Sequence, residues 1–517
     1  MGDPAPERDD HDLDLDERGC VTGGPRPEIP GGPQTVPAAL AHAAAAWGER
    51  EALVGRHSRY TYAQLAAHVE RVAAQLAGRG VRAGDRVAAC LPNHPDIVVL
   101  FLAAMRLGAV WVGVNRVLAP PERQYILDDA GVAVMIDEAD VDPRTFARDG
   151  LGGAEAALGP VGIDPFAPAA IAYTSGTTGF PKGAVHSQHN LLLPGAVERA
   201  DRSYDPDLRQ GVCLPLTVLN LIALCPLVTL QLGSCLVCMD RTDPPGLAAW
   251  IRDERVATFS AVPAMVHGLL THPEVTEDDL RPLVRPGVGG ADLPDAFRTL
   301  YRERFGTEVT IGYGLTEAPT AVTVTDPTAP AIPGEAGVAL PQVEIEIVGD
   351  DGRVLPAGEE GEVCVVARRS GPWAGVYTPM LGYWNRPDAT RAALRDGRLH
   401  TGDIGVLDAQ GHLFIKDRRN DLILRGGANV YPAEVERVLH ALAAVEACAV
   451  VGYPDEHYGE RVAAFVQAAS PVTDDALAAH CRANLAAYKV PDRWIRVEEF
   501  PRNAMGKIRK PELRARL

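Results

Sequence analysis

Residues 171–183, IAYTSGTTGFPKG, constrain this chain more than any other stretch. Ile171-Ala172-Tyr173 is an apolar lead-in. It runs into Thr174, Ser175, Gly176, Thr177, Thr178 and Gly179, and Phe180-Pro181-Lys182-Gly183 closes the loop. Glycines let the backbone turn with its N–H groups pointing inward, and such concavities bind anions. The four hydroxyls add neutral donors and Lys182 adds a positive charge. The loop therefore reads as a polyphosphate clamp. A Walker A loop needs Gly directly before the lysine and Ser or Thr after it, whereas Pro181 and Gly183 stand there. The following GAVHSQ reads as a strand, so no helix N-terminus is implied. A polar hairpin turn is the plainer reading of a Gly/Ser/Thr loop, and the full string argues against it.

At 517 residues the chain is too long for one core, so two or more domains are expected. A net charge of −18 argues against nucleic acid or an anionic membrane as partner. A polyanionic substrate must then be held by local positive charge, such as Lys182 and Lys507. Nine scattered cysteines, an odd number in a large chain, do not suggest a disulfide framework. Cys235 and Cys238 have CxxC spacing but sit in an apolar run, where buried strand thiols are a better reading than a metal site. The N-terminus is acidic and lacks an apolar signal segment. The apolar stretch 219–239 is interrupted by Asn220, Pro226, Gln231 and Gly233, so it reads as helix then buried strand rather than a membrane span. A cytoplasmic protein is expected.

Residues 1–33 are rich in Asp, Pro and Gly and read as a disordered acidic tail. From about 35, helix and strand alternate. Thr61 and Gln64 form a capping-box pattern, and Leu65, Val69, Val72 and Leu76 follow at helical spacing. Short strands near 86–91, 109–115 and 132–137 are separated by helices near 95–107 and 121–130, a pattern that predicts a parallel sheet covered by helices. Ligands of such sheets bind at the carboxyl ends of strands, where the 174–182 loop falls. The alternation continues through a helix at 294–305 and a strand at 308–314. From 342 hairpins predict a smaller β-rich subdomain. The last hundred residues read as a compact α+β unit.

Further residues carry chemical promise. In Gly312-Tyr313-Gly314-Leu315-Thr316-Glu317 a strand delivers an aromatic face, a hydroxyl and a carboxylate. Tyr313 suits a purine, Thr316 a phosphate oxygen, and Glu317 suits Mg²⁺, which binds through one or two carboxylates plus substrate phosphates. Taken bare, a strand-end Glu is usually solvated, Asp403 in Thr401-Gly402-Asp403 is a turn aspartate, and Lys507 near a basic C-terminus is surface charge.

Four strings alter that balance: 171–183, IGYGLTEA at 311–318, HTGDIG at 400–405 and NAMGKIRK at 503–510. Together they resemble the signatures of the adenylate-forming superfamily, which includes acyl-CoA synthetases, luciferases and peptide-synthetase adenylation domains. The resemblance runs from about residue 30 to the end. It implies an α/β fold, with a large domain at 34–419 made of parallel-sheet subdomains plus a β-rich one. A small mobile α+β domain at 420–517 turns on a hinge at Asn420. Thr174 to Gly179 with Lys182, Gly290-Ala291, Gly312 to Gly314, Thr316, Asp403 and Arg418 would hold ATP or AMP. Asp403 would accept the ribose hydroxyls. Lys507 would stabilise the charge gathered at the α-phosphate, with Glu317 and Thr316 as catalytic partners. Gly426-Gly427 would line the pantetheine channel. Val218, Leu219, Pro319 and Thr320 would wall the acyl pocket, together with Thr217 and Met265. No aspartate stands where peptide synthetases bind the substrate ammonium, so an uncharged hydrophobic acid is expected.

The implied activity is an ATP- and Mg²⁺-dependent acid–coenzyme A ligase. Departures from the family pattern occur at Asn420, at Thr217-Val218 in place of an aromatic-His pair, and at Ser187-Gln188 in place of Thr-His. They keep open an enzyme specialised for one half-reaction. An enzyme loading a carrier-protein thiol is another alternative, and a homo-oligomer is a further open partner. A non-catalytic binder of nucleotides belongs to a different class, and the presence of Lys182, Glu317 and Lys507 argues against it.

Overall fold

The computed structural model describes residues 13–175, 180–201, 205, 207–288, 295–332, 334–349, 351–418, 423–430, 432–468, 470–501, 508 and 510–517. Two six-stranded sheets form the large body. In the first, Val134–Ile136, Arg86–Ala89, Val110–Gly113 and Pro168–Ser175 lie side by side and run parallel. Pro181–Ser187 and Gly382–Tyr383 extend it antiparallel. In the second, Gly287–Val288, Thr258–Ala261, Arg209–Val212, Cys235–Cys238 and Glu51–Val54 are parallel, with Arg59–Thr61 as an antiparallel edge.

Local sequence explains the helices that cover these sheets. Thr61 Oγ1 accepts from the Gln64 amide at 3.3 Å and Gln64 Oε1 accepts from the Thr61 amide at 2.9 Å. This closed capping box starts helix Tyr62–Gly78. Leu65, Val69, Val72 and Leu76 are all buried on its inner face. Helix Pro95–Leu107 has proline in its first turn and ends at Gly108, whose φ of 66° is the left-handed cap that glycine supplies without strain. The apolar run at 219–239 resolves into helices Leu219–Leu224 and Pro226–Leu232 and strand Cys235–Cys238, with both cysteines buried. No described helix is long and apolar enough to cross a membrane.

The stretch expected as one more strand of the alternation, 308–314, behaves differently. Gly312–Leu315 pairs antiparallel with Thr320–Val324, which pairs with Val338–Ala339 in a separate three-stranded sheet. The turn at 316–319 places Thr316 and Glu317 at the tip of a hairpin rather than beyond a parallel strand. The hairpin-rich region is a five-stranded antiparallel sheet of Val343–Val348, Gly361–Ala367, Arg398–Leu407, Leu413–Arg418 and Leu394–Arg395. In the C-terminal part, Ala428–Val430, Ile423–Arg425, Gly459–Ala468 and Val445–Asp455 are antiparallel, and Arg493–Arg496 adds in parallel. Helices Pro432–His440 and Asp474–Asn484 pack with this sheet around a core of its own.

The tail requires a correction. Residues 1–12 lie outside the described residues, but 13–33 are not a disordered tail. Cys20 and Ile29 are 2% and 1% exposed. The Val21 amide donates to Leu381 O at 2.7 Å, the Asn385 amide to Arg18 O at 2.7 Å, and Thr390 Oγ1 to Gly19 O at 2.9 Å. Average polarity concealed two apolar anchors, and the backbone finds its partners in the 381–390 segment.

Candidate active site

The loop expected to clamp phosphate is the tip of an antiparallel hairpin. Thr174 pairs with Lys182 and Ser175 with Pro181, while Gly176 to Gly179 lie outside the described residues. Helix Pro120–Ala130 braces the hairpin. Tyr173 Oη donates to Asp129 Oδ2 at 2.8 Å, Asp129 also pairs with Arg386 at 2.7 Å, and Tyr125 Oη donates to Pro181 O at 3.1 Å. Phe180 stacks on Tyr125 with ring centres 5.1 Å apart. Burial beside the Asp129 carboxylate raises the Tyr173 phenol well above its ordinary range, so it remains a donor.

Lys182 Nζ lies 5.0 Å from the Tyr383 ring centre, and Tyr383 Oη donates to Glu317 Oε1 at 2.7 Å. The Glu317 carbonyl accepts from the Met380 amide at 2.8 Å. Lysine, phenol and carboxylate thus form one line from the Pro181–Ser187 strand to the 316–319 turn. Tyr383 was not singled out from the sequence. Its place beside the hairpin comes from Gly382–Tyr383 pairing with Val185 and Ala184, a contact across two hundred residues. His186, also unforeseen, is buried beneath this turn. Burial pushes its imidazole down to about 4, against a smaller opposing influence from the Thr316 backbone.

On the other side of the hairpin, Tyr313 Oη donates to Asp403 Oδ2 at 2.6 Å, and both residues are buried. Asp403 is not in a turn. It sits in strand Arg398–Leu407, in register with Arg418, whose side chain is outside the described residues. The Asp403 amide donates to Thr401 Oγ1 at 3.1 Å, and Thr401 Oγ1 donates to Val363 O at 2.7 Å. Gly402 has φ of 75° and donates its amide to Glu362 Oε1 at 3.1 Å. The Thr-Gly-Asp order therefore fixes the backbone so that the carboxylate projects toward Tyr313.

The acyl-pocket candidates come from neighbouring elements, since helix Leu219–Leu224 packs on strands Pro168–Ser175 and Thr320–Val324. Leu219 and Pro319 are buried, and Val218 is 42% exposed. The Thr320 side chain is outside the described residues. The backbone of 217 presses on Gly113, where an added Cβ would meet Thr217 O at 2.0 Å. Ser187 and Gln188, where the sequence departs from the family pattern, are both buried, and the Ser187 amide donates to Asn190 Oδ1 at 3.1 Å. Gln188 is buried in the core, where its Oε1 accepts from the Val36 amide at 2.8 Å and its Nε2 donates to Met105 O at 3.2 Å.

Gly290, Ala291, Asn420 and Lys507 lie outside the described residues. Gly426 and Gly427 form the turn between Ile423–Arg425 and Ala428–Val430, with φ of 56° and 81°. Gly427 rests on Val262 of the large body so closely that an added Cβ would stand 2.2 Å from Val262 Cγ1.

The model of the AMP-binding enzyme family matches residues 40–384, and that of the AMP-binding enzyme C-terminal domain matches 434–507. The chain belongs to the AMP-binding enzymes. Within that family it is similar to acyl-CoA synthetases, the acid–thiol ligases of the adenylate-forming superfamily. It is 37% identical to a feruloyl-CoA synthase of Amycolatopsis over 88% of this chain and 94% of that protein. It is 37% identical to the long-chain-fatty-acid–CoA ligase FadD13 of Mycobacterium tuberculosis over 88% of this chain and 93% of that one. Among solved AMP-binding enzymes, o-succinylbenzoate CoA synthetase of Bacillus subtilis is 30% identical in two states, each covering 92% of this chain and 97% of the other. A double mutant bound with a product analogue, OSB-NCoA, gives a TM-score of 0.81. The complex with the acyl-adenylate intermediate OSB-AMP gives 0.66.

Proposed function

We propose that this AMP-binding enzyme activates a carboxylic acid whose remaining body is uncharged and hydrophobic as its acyl-adenylate and transfers the acyl group to coenzyme A. The observation that carries the reading is that one hairpin, Gly312–Leu315 with Thr320–Val324, bears two polar groups: Glu317 bonded at 2.7 Å to Tyr383, whose ring meets Lys182, and Tyr313 bonded at 2.6 Å to Asp403. In the first half-reaction a carboxylate oxygen attacks the α-phosphorus of ATP and pyrophosphate leaves. Lys182 and the amides of its loop hold the β- and γ-phosphates, and Asp403 holds the ribose. Glu317, oriented by Tyr383, is the residue that would hold Mg²⁺, which when bound neutralises phosphate charge. Lys507, matching the family lysine, stabilises the charge on the reacting phosphate. No general base is required, because the acid is already ionised. In the second half-reaction the thiol of coenzyme A attacks the acyl carbonyl and AMP leaves.

The small domain, turning at Asn420, serves each half-reaction in a different orientation. The present orientation, with Gly427 on Val262, suits thioester formation. The higher TM-score against the product-analogue complex than against the acyl-adenylate complex of one enzyme supports this assignment. The names of the relatives span an aromatic and a long-chain aliphatic acid. A pocket walled by Val218, Leu219, Pro319 and Thr320 suits either class. The reading is tested by ATP–pyrophosphate exchange over a panel of hydrophobic acids, followed by supply of synthetic acyl-AMP with coenzyme A. Exchange together with thioester formation is expected. Thioester made only from supplied acyl-AMP, across a wide panel, would instead establish an enzyme confined to the second half-reaction. Loading of a carrier-protein thiol without saturation by coenzyme A would establish the carrier alternative.

A further inference from the structure

Lys489 is buried where the small domain meets the large one. Its Nζ lies 2.7 Å from Glu122 Oε1 of the large domain and 2.8 Å from Glu434 Oε1 of its own, and all three side chains are 5% exposed or less. A buried lysine retains its charge only when paired, and here one partner is lent by the other domain. Glu122 is itself fixed, since its Oε2 accepts from the Ala119 amide at 2.7 Å and caps helix Pro120–Ala130. That helix also carries Tyr125 and Asp129, which brace the phosphate-loop hairpin.

The backbone on either side of Lys489 leads to the Gly426-Gly427 turn. Arg425 Nη1 donates to Tyr488 O at 2.8 Å and to Val490 O at 3.2 Å, and its Nη2 pairs with Asp492 at 2.7 Å. The Gly426 amide donates to Tyr458 O at 2.7 Å. The ammonium that grips Glu122 and the carbonyls that grip Arg425 therefore belong to one short segment, Ala487–Lys489 with its next residue. Arg437, also of the small domain, stacks its guanidinium 4.0 Å over Phe180 at the edge of the phosphate loop.

We propose that Lys489 and Glu122 are a positioning pair: their bond holds the small domain in the thioester-forming orientation and sets Gly426-Gly427 against Val262. The inference rests on the coenzyme A ligase reading above. Glu434 stays with Lys489 when the domain turns, so the ammonium is never left without a carboxylate. Glu122 is what the turn releases. The pair thus acts on one half-reaction and leaves the other alone.

The test is Glu122→Gln, which keeps an oxygen for the Ala119 amide and removes the charge. Acyl transfer from supplied acyl-AMP to coenzyme A is expected to fall about ten-fold, the effect of a modest shift between two orientations. ATP–pyrophosphate exchange is expected to stay within about two-fold of the parent. In parallel, spin labels on cysteines placed at exposed Ala139 and Asp475 report the spacing between domains, and the nine native cysteines are buried and leave the labels selective. Glu122→Gln should move weight from the spacing of this structure to a second one. Unchanged spacing, or equal losses in both half-reactions, would overturn the proposal. If the parent makes no thioester at all, the ligase reading fails, while the spacing still decides whether the pair positions the domain.

Discussion

Tyr383 stands between a cation and an anion, with its ring under Lys182 and its hydroxyl on Glu317. Tyr383→Phe keeps the ring and removes the donor to the carboxylate. Hydrogen bonds to charged groups contribute roughly 1.5–3 kcal/mol, so adenylation measured by pyrophosphate exchange should fall about ten- to a hundred-fold with the fold intact. With Asp403 proposed as the ribose acceptor, Asp403→Ala should weaken nucleotide binding by a similar factor in a titration with ATP. Tyr313→Phe, which keeps the ring and removes only the donor to that carboxylate, should have a smaller effect. His186 sets a pH limit. Its folded pKa, about 4, lies below the ordinary imidazole value of 6.5. The neutral ring is therefore favoured in the native state. That stability is full above 6.5 and is lost as pH falls toward 4, on the order of 3 kcal/mol. Urea unfolding at pH 7.5 and 4.5 should show this loss in the parent, and His186→Gln should reduce it.

At the scale of elements, the hairpin Ile423–Arg425 and Ala428–Val430 meets the large domain through a glycine whose φ of 81° excludes most side chains and whose missing Cβ makes room for Val262. Gly427→Ala should lower thioester formation from acyl-AMP by at least about ten-fold and spare pyrophosphate exchange, since strain at positive φ and a clash act together only in this orientation. The glycine pair was legible in the sequence. Val262 was not, because nothing in a lone valine marks it as a landing point. The same contrast holds elsewhere. The Thr61–Gln64 cap and the parallel order of 86–91, 109–115 and 132–137 follow from local pattern and were readable. Tyr383, Glu122 and Lys489 acquire their roles from contacts across long sequence distances, where a single sequence carries no signal. Gln188 likewise owes its surroundings to distant residues, since the chain turns there into helix Gln188–Asp201 and buries the side chain between Val36 and Met105.

For the molecule as a whole, residues 13–33 are a strap rather than a tail. A chain beginning at 34 should unfold at lower temperature than one beginning at 13. The loss should be at least about 3 kcal/mol, since burial of Ile29 and Cys20 and the pairing with 381–390 all disappear. Differential scanning calorimetry of the two chains would measure it. The nine cysteines have a meaning at this scale as well. Every one is buried, and burial pushes the thiols of Cys20, Cys213, Cys225, Cys364, Cys448 and Cys481 up to about 12. An acyl-adenylate is an acylating agent toward any thiolate within reach, and the thiolate is the form that attacks. A catalyst that makes such a compound runs the risk of acylating itself. This chain keeps its own sulfur buried, so that the thiol that meets the activated acid is the one that arrives from solution.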